Sequence, residues 1–536
     1  MSLDTEIKPG QLSDAHEAQD LSDLGYTQEL ERSIGTYESF AAGFSFVSIL
    51  TTVFQLFAFG FSFAGPGFFW TWPAVFVGQI LVALCFAELS AHWPISGAIY
   101  QWSTRLGNRI WGWTAGWLML IAQVVTVAAA AIALQAILPS IWTGFQLVGS
   151  DPSLASKSGS QNAALLGLIL LVFTTVINAI GVKIMAVINT VGVTCELVGV
   201  VLLIIALFSK AKRGPGILLN TGGLGSHGYL GALLVSGLMA GYVLVGFDSA
   251  AELSEETKDA RGTAPKTIIR AVTVSGLFGG LLLIAALMAA PTTDVLNPDG
   301  SLSDDSTGGM AYIVTARLGD VLGRVFLVDV AIAACVCTLA IQTATTRMVF
   351  SMARDRVLPF SAKLAKVSAK THTPILPAIV VGALAMGVLV LNIFQPSLYT
   401  ALASVCIMLL YIAYLMVTLP MLLRRFQGFP GAVAPNATTA SGKPLFTLGK
   451  LGLPINIVAV VWGVVMTLNL AWPRDAVYNP VGDHHWFLQW FAALFLAGAL
   501  AVGALAYWRQ RYENKLTLAG MEADLSTDAA NESLAV

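Results

Sequence analysis

The sequence predicts an all-α membrane protein with about twelve transmembrane helices. Three observations carry this. Of the 536 residues, 56% are hydrophobic and 11% charged, where soluble domains carry roughly 25% charged residues. About twelve stretches reach the length of some 20 apolar residues that a spanning helix needs. Lysine and arginine concentrate in alternate loops, as the positive-inside rule requires.

The stretches lie near residues 40–65, 69–91, 110–138, 163–182, 187–209, 229–253, 268–290, 321–350, 375–394, 397–421, 452–472 and 486–508. Most are apolar on every face, unlike surface helices, which keep one polar face. The ten-residue alternating segments of a barrel do not occur. The reading divides the chain into a disordered, acid-rich cytoplasmic tail over 1–38, a helical transporter domain over 39–510 and a cytoplasmic tail over 511–536. The tail lacks the basic start and short apolar core of a cleaved signal peptide.

With the N-terminus placed in the cytoplasm, 22 of the 29 lysines and arginines fall on the inside. Lys210, Lys212 and Arg213 form the one outside cluster. The loop near 292–320 holds Asp294, Asp299, Asp304, Asp305 and Asp320, which suits the outside. An even number of spans returns the C-terminus to the cytoplasm. The expected location is the cytoplasmic membrane, with lipid as the surrounding partner. A net charge of −2 offers no footprint for nucleic acid. Cys85, Cys195, Cys335, Cys337 and Cys406 all sit in apolar runs, which argues against disulfides and zinc.

Transporters hold solutes where a helix unwinds at mid-membrane, because the freed backbone N–H and C=O groups can coordinate them. Two stretches invite such a break. The first span carries hydroxyls at its middle, in Ser48-Ile49-Leu50-Thr51-Thr52-Val53. The sixth carries Gly241-Tyr242-Val243-Leu244-Val245-Gly246-Phe247-Asp248-Ser249. Two alternatives stay open. Thr51 and Thr52 can bond back to the i−4 carbonyl of an intact helix, and Gly246 can be a small residue at a helix contact.

A charge at the bilayer centre costs at least about 2.5–3.5 kcal/mol, so an acid there is a functional hypothesis. Asp248 lies deep in the sixth span and Glu196 near the middle of the fifth. Asp329 and Glu88 lie nearer the interfaces, where a structural role is favoured. Asp248 beside a break can meet an ammonium group or exchange a proton; its alternative is a hydrogen-bonded acid that only packs helices. Gln123, Thr126 and Asn178 read as interhelical hydrogen-bonding groups. His484-His485 reads as a solvated loop, without a third ligand for a metal, and Asn436-Ala437-Thr438 as an inert glycosylation pattern.

Four stretches then carry a family resemblance. Ala83-Leu84-Cys85-Phe86-Ala87-Glu88-Leu89 runs on through Trp93-Pro94-Ile95-Ser96-Gly97-Ala98-Ile99-Tyr100. Gly246-Phe247-Asp248 is followed by Glu255-Glu256-Thr257-Lys258 and Ala264-Pro265-Lys266. Arg347 precedes Ala353-Arg354-Asp355-Arg356-Val357-Leu358-Pro359. These resemble the amino acid–polyamine–organocation permeases. Pro444-Leu445-Phe446-Thr447-Leu448-Gly449-Lys450 is similar to the subgroup with γ-aminobutyrate and choline permeases.

The resemblance implies the leucine-transporter-like fold: helices 1–5 and 6–10 as inverted repeats, with helices 1 and 6 discontinuous. It implies that Leu50-Thr51-Thr52 matches the first break, whose amides would bind a substrate carboxylate. Tyr242 would be the aromatic gate and Gly246-Phe247-Asp248 the second break. Glu196 falls where many relatives carry a lysine, and an acid there hints at a cationic or zwitterionic amine. The expected substrate-contacting residues are Ile49, Leu50, Thr51, Thr52, Val53, Gln123, Thr126, Tyr242, Val245, Gly246, Phe247 and Asp248. The expected coupling residues are Asp248 and Glu196, with H⁺ as the coupling ion.

The function so predicted is secondary transport of a small amino acid or related amine, γ-aminobutyrate-like, by alternating access. A choline- or polyamine-type carrier or an amino acid exchanger is the alternative, and a nutrient sensor or channel a weaker one. No nucleophile–base pair, metal cluster or phosphate loop suggests an enzyme, and no cofactor is expected. Whether two copies pair as a homodimer stays open.

Overall fold

A computed structural model describes residues 18–154, 156–224, 228–394, 398–431, 438–478 and 485–534. His484, Asn436 and Ala437 lie outside the described residues. The helices, in chain order, are α1 (Thr36–Val47), α2 (Ile49–Ala64), α3 (Thr71–His92), α4 (Ala98–Leu106), α5 (Arg109–Ile141), α6 (Lys157–Ile180) and α7 (Val182–Ser209). They continue as α8 (Tyr229–Val243), α9 (Ser249–Glu252), α10 (Ala260–Ala289), α11 (Asp304–Arg354), α12 (Ile375–Phe394), α13 (Leu398–Arg425), α14 (Gly452–Ala471) and α15 (Phe491–Leu534). Among the described residues there is no β-strand, only isolated bridges such as Ile34 with Thr257.

Over the described residues, each predicted apolar stretch is mainly helical, with interruptions at Ser48 and at Leu244–Asp248. Among the described residues, nine helical stretches are long and apolar enough to cross a membrane, and Tyr229–Val243 and Ile375–Leu391 are shorter apolar helices. The Thr36–His92 stretch counts once but holds α1, α2 and α3. The chain is therefore a multi-pass membrane protein. Its outer faces agree: Val187, Val191, Val198 and Ile205 form an exposed apolar stripe on α7, as do Val461, Val465 and Leu468 on α14. Lipid covers such stripes at no cost, whereas water would not.

α11 runs through 51 residues, which would measure about 75 Å if straight, far more than a bilayer. Gly309 (φ 53°) and Gly319 (φ 76°) bend it. The segment beyond Gly319 matches the predicted span.

The described residues from 18 to 35 are packed, not loose. Leu21, Leu30 and Ile34 are buried apolar anchors within an acidic tract. Asp20 pairs with Arg261 at 2.9 Å. The Tyr26 hydroxyl donates to Asp355 Oδ1 at 2.9 Å, and the Arg354 guanidinium lies 4.0 Å from its ring centre. The Lys258 N–H donates to the Ile34 carbonyl at 2.9 Å. Composition alone hid these specific partners. At the other terminus α15 continues through the expected tail to Leu534.

Most family-like acids turn out to be braces at this same basic end of the bundle. Glu256 takes Arg347 in a two-pronged bond of 2.8 and 3.2 Å, both side chains fully buried. Glu255 takes Arg354 at 2.7 and 2.8 Å. Glu88 pairs with Arg425 and also accepts from Thr447 Oγ1 (3.0 Å) and the Leu448 N–H (2.8 Å). Glu88 thus ties the third helix to the Pro444–Lys450 stretch. Asn178 accepts from Thr343 Oγ1 at 2.8 Å, an interhelical bond as expected.

Candidate functional site: two helix breaks around a buried cavity

Both expected breaks exist. The first lies at Ser48, between α1 and α2, in the left-handed region (φ 35°, ψ 93°). That is two residues before the position implied by the resemblance, and no glycine supplies it. Such a conformation in a non-glycine residue costs of order 1–3 kcal/mol and persists only where its surroundings enforce it. Here Glu196 of α7 does so: its Oε1 accepts from Ser48 Oγ and from the Leu50 N–H, both at 3.0 Å. Ile49 N–H also faces this carboxylate. The opening amides of α2 carry a partial positive charge, and the Glu196 carboxyl faces them.

The hydroxyls complete the turn. Ser48 Oγ and Thr51 Oγ1 are hydrogen-bonded at 2.6 Å, and Thr52 Oγ1 donates to the Ser48 carbonyl at 2.6 Å. Thr52 therefore does bond back to residue i−4, yet the helix is still interrupted just before it.

The second break spans Leu244 to Asp248, between α8 and α9. Gly246 sits at φ +91°, and a Cβ there would lie 1.8 Å from Phe46 Cδ1. Glycine is required twice over, by backbone conformation and by the close approach of α1. The Gly246 N–H donates to Tyr414 Oη on α13 at 2.9 Å, and that hydroxyl in turn donates to Asp248 Oδ1. Phe86, Phe247 and Tyr414 pack ring against ring around this pair, 5.0 to 5.9 Å apart.

Between the breaks lies a cavity lined by Phe46, Thr51, Thr52, Gln55, Thr126, Ala130, Tyr242, Val245, Cys337 and Ile341. Its volume is about 10 Å³, the room of one water. A larger solute needs these walls to move apart.

The expected residues divide accordingly. Thr51, Thr52, Thr126, Tyr242 and Val245 line the cavity. Ile49, Leu50 and Val53 are buried beside the first break, and Gly246 and Phe247 form the second, all outside the lining. Asp248 is buried on Tyr414 and does not line the cavity. Gln123 lies about one turn from Thr126 on the same helix, fully buried, with neither amide atom hydrogen-bonded. Glu196 is buried at the first break and is not part of the cavity lining. Asp329 packs against Gly199 of α7 and is half-buried.

Sequence reasoning missed Phe46, Gln55, Ala130, Cys337 and Ile341 in the lining, and Ser48 and Tyr414 at the breaks. Ser48 opened the hydroxyl run and could have been weighted as the break itself. Tyr414 carried no local signal, because it meets Asp248 only through the packing of α13. Among the described residues, no cluster of His, Cys, Asp and Glu has the geometry of a metal site.

Two interrupted helices facing a buried cavity, inside a bundle sheathed in apolar side chains, define an integral membrane transporter. The chain belongs to the amino acid permease family, within the amino acid–polyamine–organocation permeases; the family profile matches residues 33–500. It is similar to "Amino-acid permease BAT1" of Arabidopsis thaliana, with 26% identity over 91% of this chain and 93% of that one. Its counterpart in Oryza sativa subsp. japonica, "Amino-acid permease BAT1 homolog", shows 27% identity over 87% and 91%. The "GABA-specific permease" of Saccharomyces cerevisiae shows 26% over 69% of this chain and 66% of its own length. The protein is thus a transporter of amino acids and not an enzyme.

Proposed function

We propose that this permease is a secondary active transporter of a small amino acid or related amine, γ-aminobutyrate-like, driven by protons across the cytoplasmic membrane. The supporting observation is the pair of breaks at Ser48 and at Leu244–Asp248, on either side of one buried cavity whose lining includes Thr51, Thr52, Gln55 and Thr126. Twelve crossings, a leucine-transporter-like 5+5 inverted repeat and two cytoplasmic termini complete the reading. The substrate carboxylate meets the Thr51 and Thr52 hydroxyls and the remaining α2 amides. The ammonium meets carbonyls freed at the second break, with the free amide of Gln123 in reach after the walls part. Asp248 and Glu196, both buried in the bundle, are the groups whose protonation is linked to the motion. Each holds a break: Asp248 through Tyr414, Glu196 through Ser48 and Leu50. The breaks then rock about the cavity in alternating access, while the ion pairs at the basic end close the cytoplasmic side.

One observation favours a second reading. Glu196 already occupies the Leu50 amide, so an amine without a carboxylate, of choline or polyamine type, needs no competing group there. Uptake of radiolabelled solutes into vesicles holding the purified protein, with imposed pH and Na⁺ gradients, separates the readings. Accumulation of γ-aminobutyrate or another small amino acid under a pH gradient is the expected result. Accumulation of choline or polyamines alone favours the second reading, and binding without accumulation overturns both.

A further inference from the structure

One buried acid remains without a role. Glu252 is fully buried at the end of α9, one helical turn beyond Asp248. Residues at i and i+4 lie about 5–6 Å apart at Cβ, and Asp248 is the nearest charge acting on Glu252. Neither Glu252 oxygen has a hydrogen-bond partner. The N–H groups of Gly97, Ala98 and Ile99 face the carboxylate where α4 begins, without the alignment of full bonds. The adjacent acids differ: Glu255 and Glu256 are each neutralised by an arginine.

Among the described residues, the elements around Glu252 supply no cation. α9 packs on α1, α10 and α11. On α11, Arg347 and Arg354 are committed to Glu256 and Glu255. On α10, Arg261 pairs with Asp20, and Lys266 and Arg270 are exposed. On α4, Tyr100 donates to Asp355. Glu38 of α1 lies near its start, beside Gly35. Asp248 likewise keeps one oxygen, Oδ2, without a partner.

We propose that Glu252 is a second proton-binding carboxyl that relays protons between Asp248 and the basic face. It stands between the second break and the region of Ser96 and Glu255, where the Ser96 N–H donates to Glu255 at 3.1 Å. The step is a simple exchange. A protonated Glu252 gives its proton, directly or through one water, to the Asp248 carboxylate, and is then recharged from the basic face. Charge is conserved within the pair. A fully buried acid with no counter-ion is costly when ionised and readily carries a proton. The α4 amides stabilise the brief anionic stage.

This inference rests on the proton-coupled reading, and the experiment keeps the two apart. Full-length protein in vesicles is assayed for counterflow without gradients, for uptake driven by a pH gradient, and for substrate-induced proton flux with a trapped pH dye. Glu252→Gln should keep counterflow but lose gradient-driven accumulation and proton flux, and Glu252→Asp should restore both. A wild-type protein without pH-driven uptake overturns the coupling reading itself. A coupled wild type with an equally coupled Glu252→Gln overturns the relay alone. Should Glu252→Gln lack counterflow, the infrared carboxyl band decides. Its acid-minus-neutral difference must lose a protonated-carboxyl component in Glu252→Gln protein; an unchanged difference spectrum overturns the proposal.

Discussion

The Glu196 carboxyl accepts the Leu50 N–H at 3.0 Å, so the break between α1 and α2 is closed by a side chain of α7. An amide that family resemblance assigns to a substrate carboxylate is held by the protein's own. Removing the carboxyl orphans the Leu50 N–H and leaves Ser48 Oγ only Thr51 Oγ1 as a partner; a buried unsatisfied group costs about 1–3 kcal/mol. Glu196→Ala should therefore lower the melting temperature in detergent clearly, and Glu196→Gln, which keeps an acceptor, much less. Equal melting of the two variants contradicts this account.

Gly246 is the tightest point of the second break. A methyl group there meets Phe46 at 1.8 Å and requires a positive φ. Gly246→Ala should abolish uptake. Adding Phe46→Ala should recover only part of it, since the backbone strain, of order 1–3 kcal/mol, remains. Uptake normalised to folded protein in the membrane measures this, and full activity of the single variant speaks against the geometry.

The Asp248–Tyr414 contact links the sixth and tenth spans at the break. Asp248→Asn should remove proton-driven uptake. Tyr414→Phe keeps the carboxyl and should shift the pH profile without losing coupling. An unchanged pH dependence in Asp248→Asn protein removes Asp248 from the coupling scheme.

Arg347 and Glu256 are a fully buried ion pair. Breaking such a pair from one side costs about 3–5 kcal/mol, while replacing both partners by apolar groups is often neutral. Arg347→Ala should cut the folded yield sharply. Arg347→Met with Glu256→Leu should be more stable than either single change, as size-exclusion profiles after heating would register. The double variant should still transport poorly if the pair closes the basic end.

Tyr26 lies outside the spans and fastens the N-terminal segment to Asp355. Burial first, and then the Asp355 carboxylate, pushes its hydroxyl up to about 12 from a usual value of 10.0. The fold therefore favours the protonated tyrosine. Its contribution is complete below the unfolded value and is lost as pH rises through the folded one. The melting-temperature gap between wild type and Tyr26→Phe should stay constant up to about pH 9 and shrink above about pH 10. A gap that varies near neutrality points to another group.

Hydropathy alone marked every long helix, because the requirement for apolar length and internal backbone bonding acts locally along the chain. It also marked both breaks, through the hydroxyl run and through Gly246. The family resemblance placed the first break two residues late, because Ser48 takes its left-handed conformation from Glu196, a residue 148 positions away. The tail over 18–35 read as disordered because its few apolar anchors are sparse, and their partners lie on other helices.

The sequence by itself determined that this chain spans a membrane, and it singled out where two helices could break and that Asp248 and Glu196 lie inside. Only the tertiary structure decided what each acid does. Glu88, Glu255 and Glu256 meet arginines, Glu196 meets a helix start, Asp248 meets a tyrosine, and Glu252 meets no cation among the described residues. The reason is physical: the energy of a buried charge is set by the groups within a few ångströms, and packing, not adjacency in sequence, chooses those groups.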